Sequence, residues 1–124
     1  MTDRPLVLCA DDDEDILSLV TLRLERAGFD VARAGDGEEA IETARALRPA
    51  VVVLDVMMPR LTGLEVLAAL RADASFEDVK VVLLSARVQE GDIARGLDAG
   101  ADAYLAKPFR ADELVTAIQG LLES

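Results

Sequence analysis

The stretch VVVLDVMMP at residues 51–59 decides the fold of this chain. Four apolar, mostly β-branched residues precede a single carboxylate, Asp55, and Pro59 ends the run. An uninterrupted apolar strand is typical of a central strand that is buried on both faces of a parallel sheet. A charge at the end of such a strand lies at the rim where α/β proteins place their chemistry. Taken alone, however, Asp55 could equally be a residue of a strand-terminating turn.

Shorter apolar segments flank this strand and alternate with amphipathic stretches. Strands are predicted at residues 6–10, 31–34, 51–54, 79–84 and 103–106. Helices are predicted at residues 16–24, 37–47, 62–72, 89–99 and 111–122. Gly28 is expected to end the first helix, and Leu47 is expected in the buried stripe of the second. Residues 73–78 are predicted to form a polar loop. Five strands that alternate with five helices through short connections predict one α/β domain, with a parallel sheet covered on both faces.

The composition excludes several classes of function. The 124 residues suffice for one domain, and 24 acidic against 13 basic residues give a net charge of −11. Such a surface repels nucleic acid and anionic membranes, so we expect no direct contact with either. The chain contains no histidine, which excludes Ser-His and Cys-His catalytic pairs. Its only cysteine, Cys9, lies in an apolar run and is predicted to be a core residue.

The N-terminus lacks the charged and apolar regions of a signal peptide, and no apolar stretch approaches the length of a membrane span. These features indicate a cytoplasmic protein.

The predicted strands all end at one rim of the sheet. They deliver Asp11 and Asp12, Asp55, Ser85 and Lys107 to that rim. Three carboxylates in a partly buried site repel one another unless a cation holds them, and oxygen ligands of this kind select Mg²⁺. The alternative is a solvated acidic rim beside a helix N-terminus, which would not need a hydroxyl and an ammonium group opposite the acids.

A carboxylate beside Mg²⁺, a lysine and a hydroxyl group could attack phosphorus and form an aspartyl phosphate. Lys107 and the metal would offset charge on the phosphoryl oxygens. Ser85 could donate a hydrogen bond to one of these oxygens, and the small Ala86 leaves room for the group. Lys107 lies between an apolar strand and Pro108, which favours this role over that of an ordinary surface lysine.

These motifs occur in the order and spacing of a known family. Asp11-Asp12, Asp55 in LDVMMP, Thr62-Gly63, Ser85-Ala86 and Lys107-Pro108-Phe109 resemble the receiver (CheY-like) domain of bacterial two-component response regulators. The resemblance covers essentially the whole chain. It implies a doubly wound, flavodoxin-like sheet in the order 2-1-3-4-5, with the site between strands 1 and 3.

The resemblance also implies a role for each acidic residue of the rim. Asp55 would be the phosphoacceptor. Asp12 and Asp55 would bind Mg²⁺ together with the backbone carbonyl of Met57, and Asp11 would act mostly through water.

Further roles follow from the same resemblance. Ser85, Ala86 and Lys107 would contact the phosphoryl group, and the peptide bond before Pro108 would be cis. Tyr104 would be an aromatic switch whose ring rotates inward when Ser85 moves toward the phosphate. Without the resemblance to the family, Tyr104 is simply a strand residue with a polar tip. Residues 88–122 would form the surface that partners recognise, and Met57 and Arg87 would flank the site and tune hydrolysis of the phosphoryl group.

The leading hypothesis is a signalling switch phosphorylated by a sensor histidine kinase or phosphotransfer protein, which then alters binding to a downstream effector. It would catalyse only its own phosphorylation and dephosphorylation, as a single receiver domain over residues 1–124 with no output domain in this chain. One alternative is a pseudo-receiver that serves only as an interaction domain. Another is a haloacid-dehalogenase-type phosphatase, but that family needs a second acid where Met57 stands. A nucleotide-binding module would need a glycine-rich loop after the first strand, and none follows it.

Overall fold

The computed structural model describes residues 4–86 and 90–123. Its five parallel strands pair in the order β2-β1-β3-β4-β5, as the resemblance implied. The strands are β1 (Leu6–Ala10), β2 (Asp30–Ala34), β3 (Val51–Asp55), β4 (Lys80–Ser85) and β5 (Ala103–Ala106). The helices are α1 (Glu14–Arg26), α2 (Gly37–Leu47), α3 (Gly63–Arg71), α4 (Glu90–Asp98) and α5 (Ala111–Glu123).

The sheet is a central layer between two layers of helices. Alternate residues of the strands pack into two separate cores, with α1 and α5 on one face and α2, α3 and α4 on the other. Every residue of β3 is buried, which confirms the interpretation of residues 51–55 as a central strand. Cys9 is buried in the core beside α1, as predicted. Within residues 4–86 and 90–123, no helix combines the length and the apolarity that crossing a bilayer requires.

The register of the sheet brings the strand ends together. Asp55 pairs with Leu84 in β4, and Ser85 pairs with Ala106 in β5. On the other side of β3, Leu54 pairs with Ala10, the last residue of β1. The carboxyl ends of these strands, and the residues that follow them, therefore lie along one rim, as the sequence predicted.

Side chains at the helix starts explain where α2 and α3 begin. The Thr62 hydroxyl accepts from the Glu65 N–H, and the Glu65 carboxylate accepts from the Thr62 N–H, and the two bonds form a capping box. The Asp36 carboxylate likewise accepts from the Glu39 N–H. The Glu39 carboxylate, however, accepts from the Gly35 N–H at 2.6 Å, one residue earlier than a capping box requires.

Two sequence predictions about packing are wrong. Leu47, expected in the buried stripe of α2, is 51% exposed because it lies at the last turn, where the helix extends past the edge of the core. Residues 73–78, expected to be a polar loop, contain a 3₁₀ turn at Ala74–Phe76. Phe76 in that turn is buried and packs into the core under α3.

Arg71 joins the elements that lead into β5. Its guanidinium donates to the carbonyl oxygens of Gly100 and Phe76 and to the Asp102 carboxylate, at 3.0 to 3.1 Å. Asp102 in turn accepts from the N–H of Val81 in β4 at 2.8 Å. This network fixes the start of β5, the strand that leads to Lys107.

We expect Arg71→Met to lower the free energy of unfolding by about 2 to 3 kcal/mol, because partly buried carbonyls and a carboxylate lose a charged donor. Urea denaturation monitored by circular dichroism measures this change.

Arg110→Met is the matched control, since Arg110 is 80% exposed and, among residues 4–86 and 90–123, its ion pair is with the nearby Glu113. It should change the free energy of unfolding by less than about 0.5 kcal/mol. Equal effects of the two substitutions would contradict the role of Arg71.

Candidate functional site

Three carboxylates converge at the rim of the sheet. Asp11 and Asp12 follow β1, Asp55 ends β3, and one oxygen of each lies within 4.8 Å of the others. Asp11 and Asp55 are only 2% and 4% exposed, whereas Asp12 faces solvent. Backbone hydrogen bonds orient the buried pair: the Asp13 N–H donates to Asp11 Oδ1 at 2.9 Å, and the Met57 N–H donates to Asp55 Oδ1 at 3.3 Å. The remaining oxygens are thereby directed toward a common space.

Lys107 lies between the two buried acids. Its Nζ atom is 2.9 Å from Asp11 Oδ2 and 3.2 Å from Asp55 Oδ2. Its backbone N–H donates to the carbonyl of Ser85 at 2.8 Å, which ties the residue after β5 to the end of β4. The Lys107–Pro108 peptide bond is cis, as expected.

The charges in the pocket do not balance. Burial, and after it the charge of Asp11, raises the pKa of Asp55 to about 6, although Lys107 acts in the opposite direction. Burial also lowers the pKa of Lys107, but its hydrogen bond to Asp11 and the charges of Asp11 and Asp55 outweigh burial, so that this pKa is raised. Two buried carboxylates thus share one ammonium group, and the pocket favours an additional cation.

The donor set fits a hard divalent cation. Carboxylate oxygens, with Asp12 open to water, are the ligands that Mg²⁺ prefers, because this ion usually keeps several of its waters.

Ser85 and Tyr104 line one cavity, which also includes Met57 of the loop after Asp55. Ser85 is buried at the end of β4, and the exposed Ala86 follows it. Tyr104 is half-buried on β5 and packs against the core under α3 and α4. The cavity measures about 260 Å³ and is lined by Ser85, Tyr104, Met57, Val56, Thr62, Leu64, Asp92 and Arg95. The structure therefore provides a continuous space from the rim of the sheet to the face of α4.

Met57 follows Asp55 by two residues and is 66% exposed, so its side chain stands at the mouth of the site. Arg87, predicted to flank the site from the other side, lies outside the described residues, as do residues 88 and 89 of the predicted partner surface.

Two features of the site were not foreseen from the sequence. Lys107 was expected to contact a phosphoryl group, and its ion pair with Asp11 was not predicted. The packing of Gly63 was also missed: a Cβ there would lie 2.5 Å from the carbonyl oxygen of Asp55, so only glycine fits. The spacing of Asp55 and Thr62-Gly63 in the sequence is the signal that could have indicated this close approach.

The raised pKa of Asp55 predicts a pH dependence for the metal-free protein. We expect the Asp55 carboxyl to titrate near pH 6 rather than near its ordinary value of 3.8. Because the folded state then binds the proton more tightly than the unfolded chain, this group makes the free energy of unfolding fall as pH rises from about 4 to about 6. Carbon-13 NMR of protein labelled at the aspartate carboxyl groups measures the titration.

Substitutions of the neighbouring charged residues test how each of them changes the pKa of Asp55. Asp11→Asn should lower the Asp55 pKa by removing a negative charge, and Lys107→Met should raise it by removing a positive one. Asp78→Asn, at an exposed position before β4, should leave it unchanged. Titration near pH 4 in the wild type would contradict the burial and crowding of this carboxyl.

Comparison with known proteins gives the family. The model of the response regulator receiver domain matches residues 7–119. The chain is 48% identical over 118 residues to the transcriptional regulatory protein PrrA of Mycobacterium tuberculosis, a match that covers 95% of this chain and 50% of PrrA. It is 40% identical over 121 residues to the DNA-binding response regulator MtrA of Mycolicibacterium smegmatis, covering 98% of this chain and 52% of MtrA. The chain thus spans about half the length of these curated relatives.

Solved structures agree with this assignment. The receiver domain of the Francisella response regulator 1452 superposes with a TM-score of 0.91 at 37% identity, covering 97% of this chain and 98% of that one. The chemotaxis response regulator CheY4 of Vibrio cholerae superposes with a TM-score of 0.90 at 31% identity, covering 95% of this chain and 98% of that one. With its 2-1-3-4-5 sheet and the acids at its rim, this chain belongs to the family of response regulator receiver domains, signalling proteins of two-component systems.

Proposed function

We propose that this chain is a phosphorylation-controlled switch in which Asp55 accepts a phosphoryl group from a sensor histidine kinase or a phosphotransfer protein. The observation that carries the proposal is the position of Asp55: a 4% exposed carboxylate at the end of a fully buried strand, in contact with a lysine and beside two further acids. A residue that only terminates a strand in a turn does not require burial, a lysine contact and two neighbouring acids. Family membership supports the same role.

The acidic cluster would hold Mg²⁺ through Asp12, Asp55 and the backbone carbonyl of Met57, with Asp11 acting mostly through water. The ion, when bound, would neutralise charge on the phosphoryl oxygens. The convergence of the three carboxylates supports this assignment.

In the transfer step, an oxygen of Asp55 forms a bond to phosphorus as the bond between phosphorus and the imidazole nitrogen of the donor breaks. In the structure Lys107 is paired with both buried acids. During the transfer it would reorient one of its N–H groups toward the incoming phosphoryl oxygens. Ser85 would donate its hydroxyl proton in a hydrogen bond to another of these oxygens. Ala86, with a single methyl group, leaves space for the phosphoryl group at the mouth of the pocket.

The output would arise from Ser85 and Tyr104, which line the same 260 Å³ cavity. Movement of Ser85 toward the phosphoryl group would open space into which the ring of Tyr104 can turn. The ring lies against α4 at Gly96, where an added Cβ would be 3.1 Å from Tyr104 Cδ2. Rotation of Tyr104 would therefore change how α4 packs, and with it the partner surface of residues 88–122.

We further propose that residues 1–124 fold as one receiver domain that acts in the cytoplasm by regulating an effector protein or domain. MtrA is named as a DNA-binding response regulator, but the net charge of −11 argues that this domain itself does not contact DNA or membrane. Its catalysis would be limited to its own phosphorylation and dephosphorylation.

Asp55→Asn tests the proposal. Wild-type protein incubated with radiolabelled acetyl phosphate and Mg²⁺ should incorporate label, and the substitution should reduce incorporation to background, because the amide lacks the nucleophilic oxygen. Chelation of Mg²⁺ should reduce incorporation into the wild type in the same way.

Asp78→Asn, which removes an exposed carboxylate, is the matched control and should incorporate label like the wild type. Undiminished labelling of Asp55→Asn would place the acceptor elsewhere. An unlabelled wild type would identify the chain as a pseudo-receiver, and continuous release of phosphate from a generic phosphate ester would favour the phosphatase.

A further inference from the structure

The first residue of α2 packs directly on the loop of residues 56–62 that joins β3 to α3. Gly37 is buried there, and a Cβ at this position would lie 2.3 Å from the carbonyl oxygen of Leu61 and 2.5 Å from Leu61 Cβ. Ordinary contacts of a Cβ begin at 3.4 Å. The absence of a side chain at Gly37 is therefore a requirement of this close approach, and any other residue would displace the loop or the helix.

Polar contacts hold the same two segments together. The Gly37 N–H donates to the carbonyl of Pro59 at 3.5 Å, and this carbonyl also accepts from the Leu61 N–H at 2.9 Å. Arg60, in a left-handed conformation with φ of 71°, lies 3.7 Å from both the Asp36 and the Glu38 carboxylates at the start of α2. The exposed ion pairs contribute little energy individually, but they favour the same position of the loop.

The other end of the loop is fixed to the acidic site. The Val56 N–H donates to the Leu84 carbonyl in β4 at 2.9 Å, and the Gly63 N–H donates to the Val56 carbonyl at 3.0 Å. The Met57 N–H donates to Asp55 Oδ1. Met57 thus lies between a segment held by the sheet and a segment that rests on α2. Its backbone cannot shift freely in either direction.

We propose that the N-terminal turn of α2, through Gly37, positions the loop that carries the Met57 carbonyl and thereby sets the affinity of the acidic pocket for Mg²⁺. Gly37 has no side chain with which to bind an ion, so it is a positioning residue that acts through Leu61 and Pro59. The inference rests on the proposed metal role of Met57. Residues that orient a metal ligand typically change metal affinity about tenfold or more when they are substituted.

Isothermal titration with Mg²⁺ at about pH 8, where Asp55 is ionised, tests the inference. Gly37→Ala should raise the dissociation constant about tenfold. Gly35→Ala, two residues earlier in the loop before α2, is the matched control, because a Cβ there meets nothing nearer than 3.8 Å. It should bind Mg²⁺ like the wild type.

A second variant approaches the contact from the other side. Leu61→Gly removes the side chain that rests on Gly37 and frees the loop backbone, so it should also weaken Mg²⁺ binding. If Gly37→Ala does not fold, the Mg²⁺ affinity of Leu61→Gly tests the inference on its own. Circular dichroism of the metal-free proteins separates this effect from a loss of structure, because a purely structural role would lower the melting temperature without changing the affinity of the folded protein.

The outcomes distinguish this inference from the function on which it rests. Wild-type affinity in both folded variants would overturn the role of α2 and leave the metal site intact. A wild-type protein that binds no Mg²⁺ would overturn both.

Discussion

The sharing of one ammonium group by two buried carboxylates is the constraint on which the rest of the structure depends. Lys107 Nζ contacts both Asp11 and Asp55, which follow different strands, and Lys107 itself follows a third. A parallel sheet brings these strand ends to one rim, and the pairing of β1 with β3 places Asp11 and Asp55 near each other. The single positive charge does not balance the pair, and burial together with the charge of Asp11 raises the pKa of Asp55. The fold therefore holds an excess of negative charge in a rigid frame, and this excess favours the binding of a cation.

Much of this arrangement can be predicted from the sequence because apolar periodicity specifies it. The buried run at 51–54 identifies the central strand, and the alternation of strands and helices predicts the α/β class. The residue that follows each apolar run is then assigned to the rim by position alone, which is how Asp11, Asp55 and Lys107 are found. The sheet order, in contrast, came from the resemblance to a family and not from periodicity, since alternation fits several strand orders.

The contacts that could not be predicted from the sequence join segments that are far apart in the chain. Phe76 was assigned to a polar loop, although its ring enters the core. Gly37 reads as an ordinary first residue of a helix, and only the close approach of Leu61, 24 positions later, gives it a requirement for glycine. Local propensity cannot register such contacts, and they are the ones that connect α2 to the site.

Replacement of Mg²⁺ by the paramagnetic ion Mn²⁺ tests the convergence of the acids most directly. Amide signals of the assigned protein should broaden first at residues 11–12 and 55–57, since paramagnetic relaxation falls steeply with distance from the ion. This broadening should be centred on one site and should be lost in Asp55→Asn. Broadening spread over the acidic surface, or centred away from the ends of β1 and β3, would contradict it.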